Sequence, residues 1–134
     1  MSKPASKGSK KEAALILVVE DFGAAREVYV HLLASSGLRV VEASNGPEAI
    51  AKGLALRPDL ILMDLAMPGM DGLEVMRRLK ADDRTKASPI VVITGASYAD
   101  GARKAKAAGC DAYLIKPCAP EVLLRVVHDL LKTA

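Results

Sequence analysis

Tryptophan is absent from this 134-residue chain, and Phe22, Tyr29, Tyr98 and Tyr113 are its only aromatics. So few ring faces leave no platform on which successive bases stack. Cysteine is scarce too: Cys110 and Cys118 are too few for a disulfide framework or a zinc site and read as small packing residues. Long hydrophobic runs are missing. The longest, Ala13 to Val19, has seven residues, against the roughly 18 that a membrane span requires. Excess charge is confined to one end. The first twelve residues, MSKPASKGSKKE, carry four Lys and one Glu, so the whole formal charge of +3 sits there and the remainder is neutral. A folded basic surface is thereby excluded, and with it direct nucleic-acid binding; no membrane association is expected either. The Lys-rich start is not followed by an apolar leader segment, so the expected setting is a reducing cytoplasm.

What is present is alternation. Residues 1–12 read as a disordered Lys-rich tail. From Ala13 onward, short apolar runs alternate with amphipathic stretches. The runs are LILVV (15–19), LRVVEA (38–43), LILMD (60–64), IVVIT (90–94) and AYLI (112–115), each of strand length. Between them, Ala25, Val28, Tyr29, Leu32, Leu33 and Ser36 share one helical face, and Gly37 suits the position after the helix end. Pro47 fits a first helical turn behind Asn45-Gly46, with Ala49, Ile50, Gly53 and Leu54 turned inward. Asp71 caps a helix carrying Leu73, Met76 and Leu79; Ala99, Ala102 and Ala105 form a thin face ending near Gly109; Leu123, Val126, Val127, Leu130 and Leu131 form a broad stripe. Five β-α units predict one α/β domain over 13–134, a doubly wound parallel sheet with helices on both faces. The fully apolar runs belong in the centre and the mixed or short ones at the edges, which gives the order 2-1-3-4-5.

In such a sheet, ligands gather beyond the carboxyl ends of the strands. Glu20 and Asp21 follow the first run, Asp64 ends the third, Thr94 ends the fourth and Lys116-Pro117 follows the fifth. Three carboxylates at close range repel one another, and a hard divalent cation relieves that. With no His or Cys at the rim of strands 1 and 3, the oxygen donors favour Mg²⁺. A carboxylate beside such a cation can accept a phosphoryl group as an acyl phosphate, with a hydroxyl and an ammonium to hold its oxygens.

These residues carry a family resemblance. VVED (18–21), SNGPEAI (44–50), PDLILMDLAMPGMDGLEV (58–75), PIVVITG (89–95) and GCDAYLIKP (109–117) together resemble the receiver domain of two-component response regulators, of the stand-alone, chemotaxis-regulator-like kind, over roughly 13–132. The resemblance implies a flavodoxin-like sheet, with Asp64 as phosphoacceptor. It implies Mg²⁺ on Glu20, Asp21, Asp64 and the backbone carbonyl of Ala66. It further implies Lys116 on the phosphoryl group, a switch pair of Thr94 and Tyr113, and a cis Lys116-Pro117 bond. Glu20 stands where the family more often has Asp, and Cys118 where it often has Phe. The positions flanking the path of hydrolytic water fall at Ala66 and Ala96. The implied partners are a histidine kinase or histidine phosphotransfer protein as donor and a protein target that reads the 95–132 face. The expected domain is a regulator, not an enzyme, with phosphorylation from small donors and slow self-dephosphorylation.

An aspartyl-phosphate phosphohydrolase on a similar sheet is the competing class. It needs a second Asp two residues after the nucleophile, and Ala66 stands there. A dinucleotide-binding domain is excluded because no G-x-G-x-x-G follows the first strand. His31 and His128 fall on helical stretches away from the rim and read as surface residues.

Overall fold

The computed structural model describes residues 13–67, 69, 71–95 and 100–133. The proposed tail of residues 1–12 lies outside them, as do Ala96, Tyr98 and Ala99.

Strands and helices alternate: β1 (Leu15–Val19), α1 (Gly23–Ser35), β2 (Arg39–Ala43), α2 (Gly46–Leu56), β3 (Leu60–Met63), α3 (Gly72–Ala81), β4 (Ile90–Gly95), α4 (Gly101–Ala108), β5 (Ala112–Lys116) and α5 (Pro120–Thr133). All pairings are parallel and the order is β2-β1-β3-β4-β5. The fully apolar runs are central, and β2 and β5, with their polar or half-exposed positions, form the edges. The predicted boundaries shift by a residue or so. Leu38 and Asp64 fall outside the ladder, while Gly95 and Lys116 join it, because the pairing β4–β5 continues to Gly95 opposite Lys116.

Period-2 alternation divides the core into two layers. Leu17, Val19, Ile61, Met63, Ile90 and Val92 face α2, α3 and α4, whereas Ile16, Val18, Leu60, Leu62, Val91 and Ile93 face α1 and α5. The helix starts are locally encoded. Asn45 Oδ1 accepts from the Glu48 amide at 2.8 Å, and Asp71 Oδ1 accepts from the Leu73 amide at 3.0 Å, each satisfying a donor that the first turn leaves over. Gly37 and Gly109, both at positive φ, let α1 and α4 end as expected.

Two face assignments need correction. Val28 is 63% exposed: α1 buries only Leu33 fully, and Tyr29 and Leu32 partly, so its apolar face is narrower than the sequence spacing predicts. Ala102 is exposed as well. The buried face of α4 runs through Gly101, Ala105 and Ala108: Ala105 is buried as predicted, and Gly101 takes the place expected of Ala102.

Candidate active site at the carboxyl rim

The ladder decides what meets what. The Asp64 amide donates to the Val19 carbonyl at 3.1 Å, and the Glu20 amide to the Ala43 carbonyl at 3.0 Å. Glu20 and Asp64 therefore leave adjacent central strands at the same level. Both are buried, 1% and 6% exposed, which is expensive for carboxylates unless they are paired. Lys116 pairs both. Its Nζ stands 2.9 Å from Glu20 Oε1 and 2.9 Å from Asp64 Oδ2. The remaining oxygens also have donors: the Phe22 amide on Glu20 Oε2 at 3.2 Å and the Ala66 amide on Asp64 Oδ1 at 3.0 Å. The Lys116-Pro117 bond is cis.

Charge is distributed unevenly over this cluster. Burial pushes Glu20 above the usual carboxylate range, against the hydrogen bonds from Lys116 and the Phe22 amide, and the Asp64 charge adds to the rise. Burial pulls the Lys116 ammonium down, but its hydrogen bonds to Asp64 and Glu20 outweigh that and hold it above its ordinary value. A single ammonium thus serves two buried carboxylates.

Asp21 is exposed on the rim, one residue beyond Glu20. Among the described residues no three acidic, His or Cys side chains are drawn together as a ready metal cage: Glu20 and Asp64 converge on Lys116, and Asp21 stays outside. The donors nonetheless fit a hard cation, because the rim of β1 and β3 offers carboxylate and carbonyl oxygens with no imidazole or thiolate. Thr94 is buried at the end of β4. Tyr113 sits opposite Val92, two residues before Thr94's own partner Ile115, so Thr94 and Tyr113 share one face of the sheet. Tyr113 packs half-buried on the α2–α4 layer.

Sequence reasoning missed two residues of α1. Arg26 donates from its Nη1 to the Glu20 carbonyl at 2.9 Å and from Nε to Glu42 Oε1 at 2.9 Å, tying the acidic turn to the edge strand. Tyr29 lies with its ring beneath Lys116. Burial raises its phenol above the ordinary value, and the charges of Lys116, Glu20 and Asp64 all reach it. The available signal was their i, i+3 spacing in a helix that starts directly after the acidic pair. His31 is exposed, as expected, whereas the half-buried His128 shares a 2.8 Å hydrogen bond with Ser36 and links α5 to α1.

A family model described as the response regulator receiver domain matches residues 16–128. Among curated relatives, the transcriptional regulatory protein ResD of Bacillus subtilis is 44% identical over 112 residues, covering 83% of this chain and 45% of ResD. The polar-differentiation response regulator DivK of Brucella anthropi is 31% identical over 119 residues, covering 89% of this chain and 97% of DivK. The chain thus spans about half the length of the first and nearly all of the second. Among solved structures, the receiver domain of the sensor histidine kinase PA1611 from Pseudomonas aeruginosa superposes with a TM-score of 0.83 at 29% identity, over 90% of this chain and 98% of that one. That structure holds a magnesium ion coordinated in its active-site cleft.

Proposed function

We propose, for a chain that belongs to the response regulator receiver-domain family, that Asp64 is its phosphoacceptor and that the phosphoryl group comes from a phosphohistidine of a histidine kinase or phosphotransfer protein. A carboxylate oxygen of Asp64 attacks phosphorus, the N–P bond breaks, and its electron pair stays on the departing imidazole. The observation that carries this reading is the Lys116 ammonium 2.9 Å from an oxygen of the buried Asp64, with Glu20 on its other side. Once Asp64 bears the phosphoryl group, that ammonium is placed to hold its oxygens.

Mg²⁺ would be held by Glu20, Asp21, Asp64 and the Ala66 carbonyl, where it supplies positive charge to neutralise phosphoryl oxygens. Thr94 closes the site from β4, and Tyr113, on the same face of the neighbouring strand, carries the change outward to α4, β5 and α5. A protein target reads that 95–132 face. The setting is cytoplasmic, in keeping with two free thiols; among the described residues no helix is long and apolar enough to cross a membrane.

The test is phosphorylation by acetyl phosphate with Mg²⁺, read by intact mass. The wild type should gain one phosphoryl group and Asp64→Asn none, because the amide has no nucleophilic oxygen anion. Equal labelling of the two proteins would overturn the assignment. Turnover of many equivalents of donor would instead favour a phosphohydrolase.

A further inference from the structure

Lys116 is confined on three sides. Two are the carboxylates of Glu20 and Asp64. The third is the ring of Tyr29, whose centroid lies 5.9 Å from Nζ, within the roughly 6 Å over which an aromatic face attracts a cation. Tyr29 is half-buried in the layer between α1 and α5, packed against the cluster that includes Leu33, Leu123 and Val127. The ring is thus fixed by its own neighbours. The Lys116 side chain is 30% exposed and sits on a flexible four-carbon stem, so it depends on external contacts to stay in place.

The three contacts do not last equally through the proposed cycle. Phosphorylation takes up an Asp64 oxygen and moves the anionic partner of Lys116 outward onto the phosphoryl group, so Nζ must be held in place as one partner gives way to the other. A cation on Glu20 competes for the second carboxylate. The ring face is altered by neither event. We infer that Tyr29 is a positioning residue for Lys116, an aromatic wall that keeps the ammonium at the rim while its carboxylate partners are engaged elsewhere. This rests on the phosphoacceptor reading of Asp64. Arg26 supports the same geometry from one turn earlier on α1, since it anchors the Glu20 carbonyl at 2.9 Å.

The experiment compares the 134-residue wild type with Tyr29→Phe, which keeps the ring and loses the hydroxyl, and with Tyr29→Leu and Tyr29→Met, which keep apolar volume and lose the ring. Two quantities are read. One is the rate of acyl-phosphate formation against acetyl phosphate concentration with Mg²⁺. The other is the ammonium NMR signal of Lys116 in Mg²⁺-saturated protein, where the cation competes for the carboxylates and the signal persists only while Nζ is held. Tyr29→Phe should stay within about twofold of the wild type and retain the signal. The ring-less variants should lose the signal and about fivefold in limiting rate, with the half-saturating concentration unchanged. An unchanged rate and signal in a folded ring-less variant overturns the inference. So does a faster rate there, or a Tyr29→Phe defect as large as that of Tyr29→Leu, which would place the effect in the hydroxyl. Failure of the underlying reading looks different: the wild type and Asp64→Asn would then label alike, while the Lys116 signal still reports on Tyr29.

Discussion

Gly72 is packed onto the backbone of Leu65. A Cβ built on Gly72 would fall 2.7 Å from Leu65 Cα and 2.8 Å from its carbonyl oxygen. The first turn of α3 is therefore seated directly on the segment that leaves Asp64. Any side chain at 72 must push against main chain, which has no rotamer to yield. Gly72→Ala should destabilise the protein by about 1–3 kcal/mol, as overpacking does. It should also slow Asp64 labelling, since the displaced backbone includes the Ala66 amide, 3.0 Å from Asp64 Oδ1. Urea denaturation and acetyl phosphate labelling check the two effects; a variant as stable and as reactive as the wild type would show that the loop relaxes freely.

Glu48 predicts a pH dependence. Its carboxylate accepts from the Ser44 amide at 2.8 Å and the Ser44 hydroxyl at 3.0 Å, and pairs with Lys52 at 2.9 Å. The Ser44 amide is the largest influence, and these donors hold the group down at about 2, against an ordinary 4.5. Its folded-state pKa is depressed, so the stabilisation is complete above the ordinary value and is lost as pH falls toward the folded one. Glu48→Ala should cost on the order of 1 kcal/mol at pH 7, as loss of such a capping arrangement does. Between about pH 4.5 and 2 the gap between variant and wild type should close. Paired denaturant titrations across that range measure it, and a gap that stays constant would mean that the carboxylate's charge is irrelevant.

The α4 helix is the weakly anchored element. Its buried positions are Gly101, Ala105 and Ala108, where α3 buries Leu73, Val75, Met76 and Leu79. Each Ala in place of a Leu forgoes about 2 kcal/mol of burial. Its N-cap, Asp100, sits at φ 56 and makes no side-chain cap bond. Native-state hydrogen exchange should find residues 101–108 opening fastest among the helices, in keeping with an element that moves on phosphorylation. Faster exchange in α1 would contradict this.

Persistence of the phosphoryl group should be long. Hydrolysis needs water held in line with the acyl phosphate, and the flanking positions taken from the family resemblance are Ala66 and Ala96. Neither methyl group orients water. Ala66→Asn combined with Ala96→Glu should hasten phosphoryl loss at least about tenfold, equivalent to about 1.4 kcal/mol of barrier. If the wild type decays faster than the double variant, access of bulk water governs the lifetime instead.

The strands, most helix faces and the membership of the rim were legible in the chain itself. Local periodicity, caps and turn residues act over a few positions, and a run such as LILVV has only one favourable place in a parallel sheet. Val28 and Ala102 were misplaced because apolar spacing sets a helical stripe but not its width or phase; those depend on what the sheet leaves uncovered. Lys116 was expected on the Asp64 phosphoryl group, but its pairing with Glu20 was not legible. Glu20 and Lys116 are 96 positions apart, and their contact exists only because strand order and register bring the end of β5, opposite Gly95, to the rim where β1 and β3 also end. The same holds for Arg26 on the Glu20 carbonyl and Tyr29 beneath Lys116. Side-chain chemistry is a property of each residue, but the distance over which two charges act is set by the packed sheet and helices, and the energy of a buried ion pair depends on that distance and on the water excluded around it.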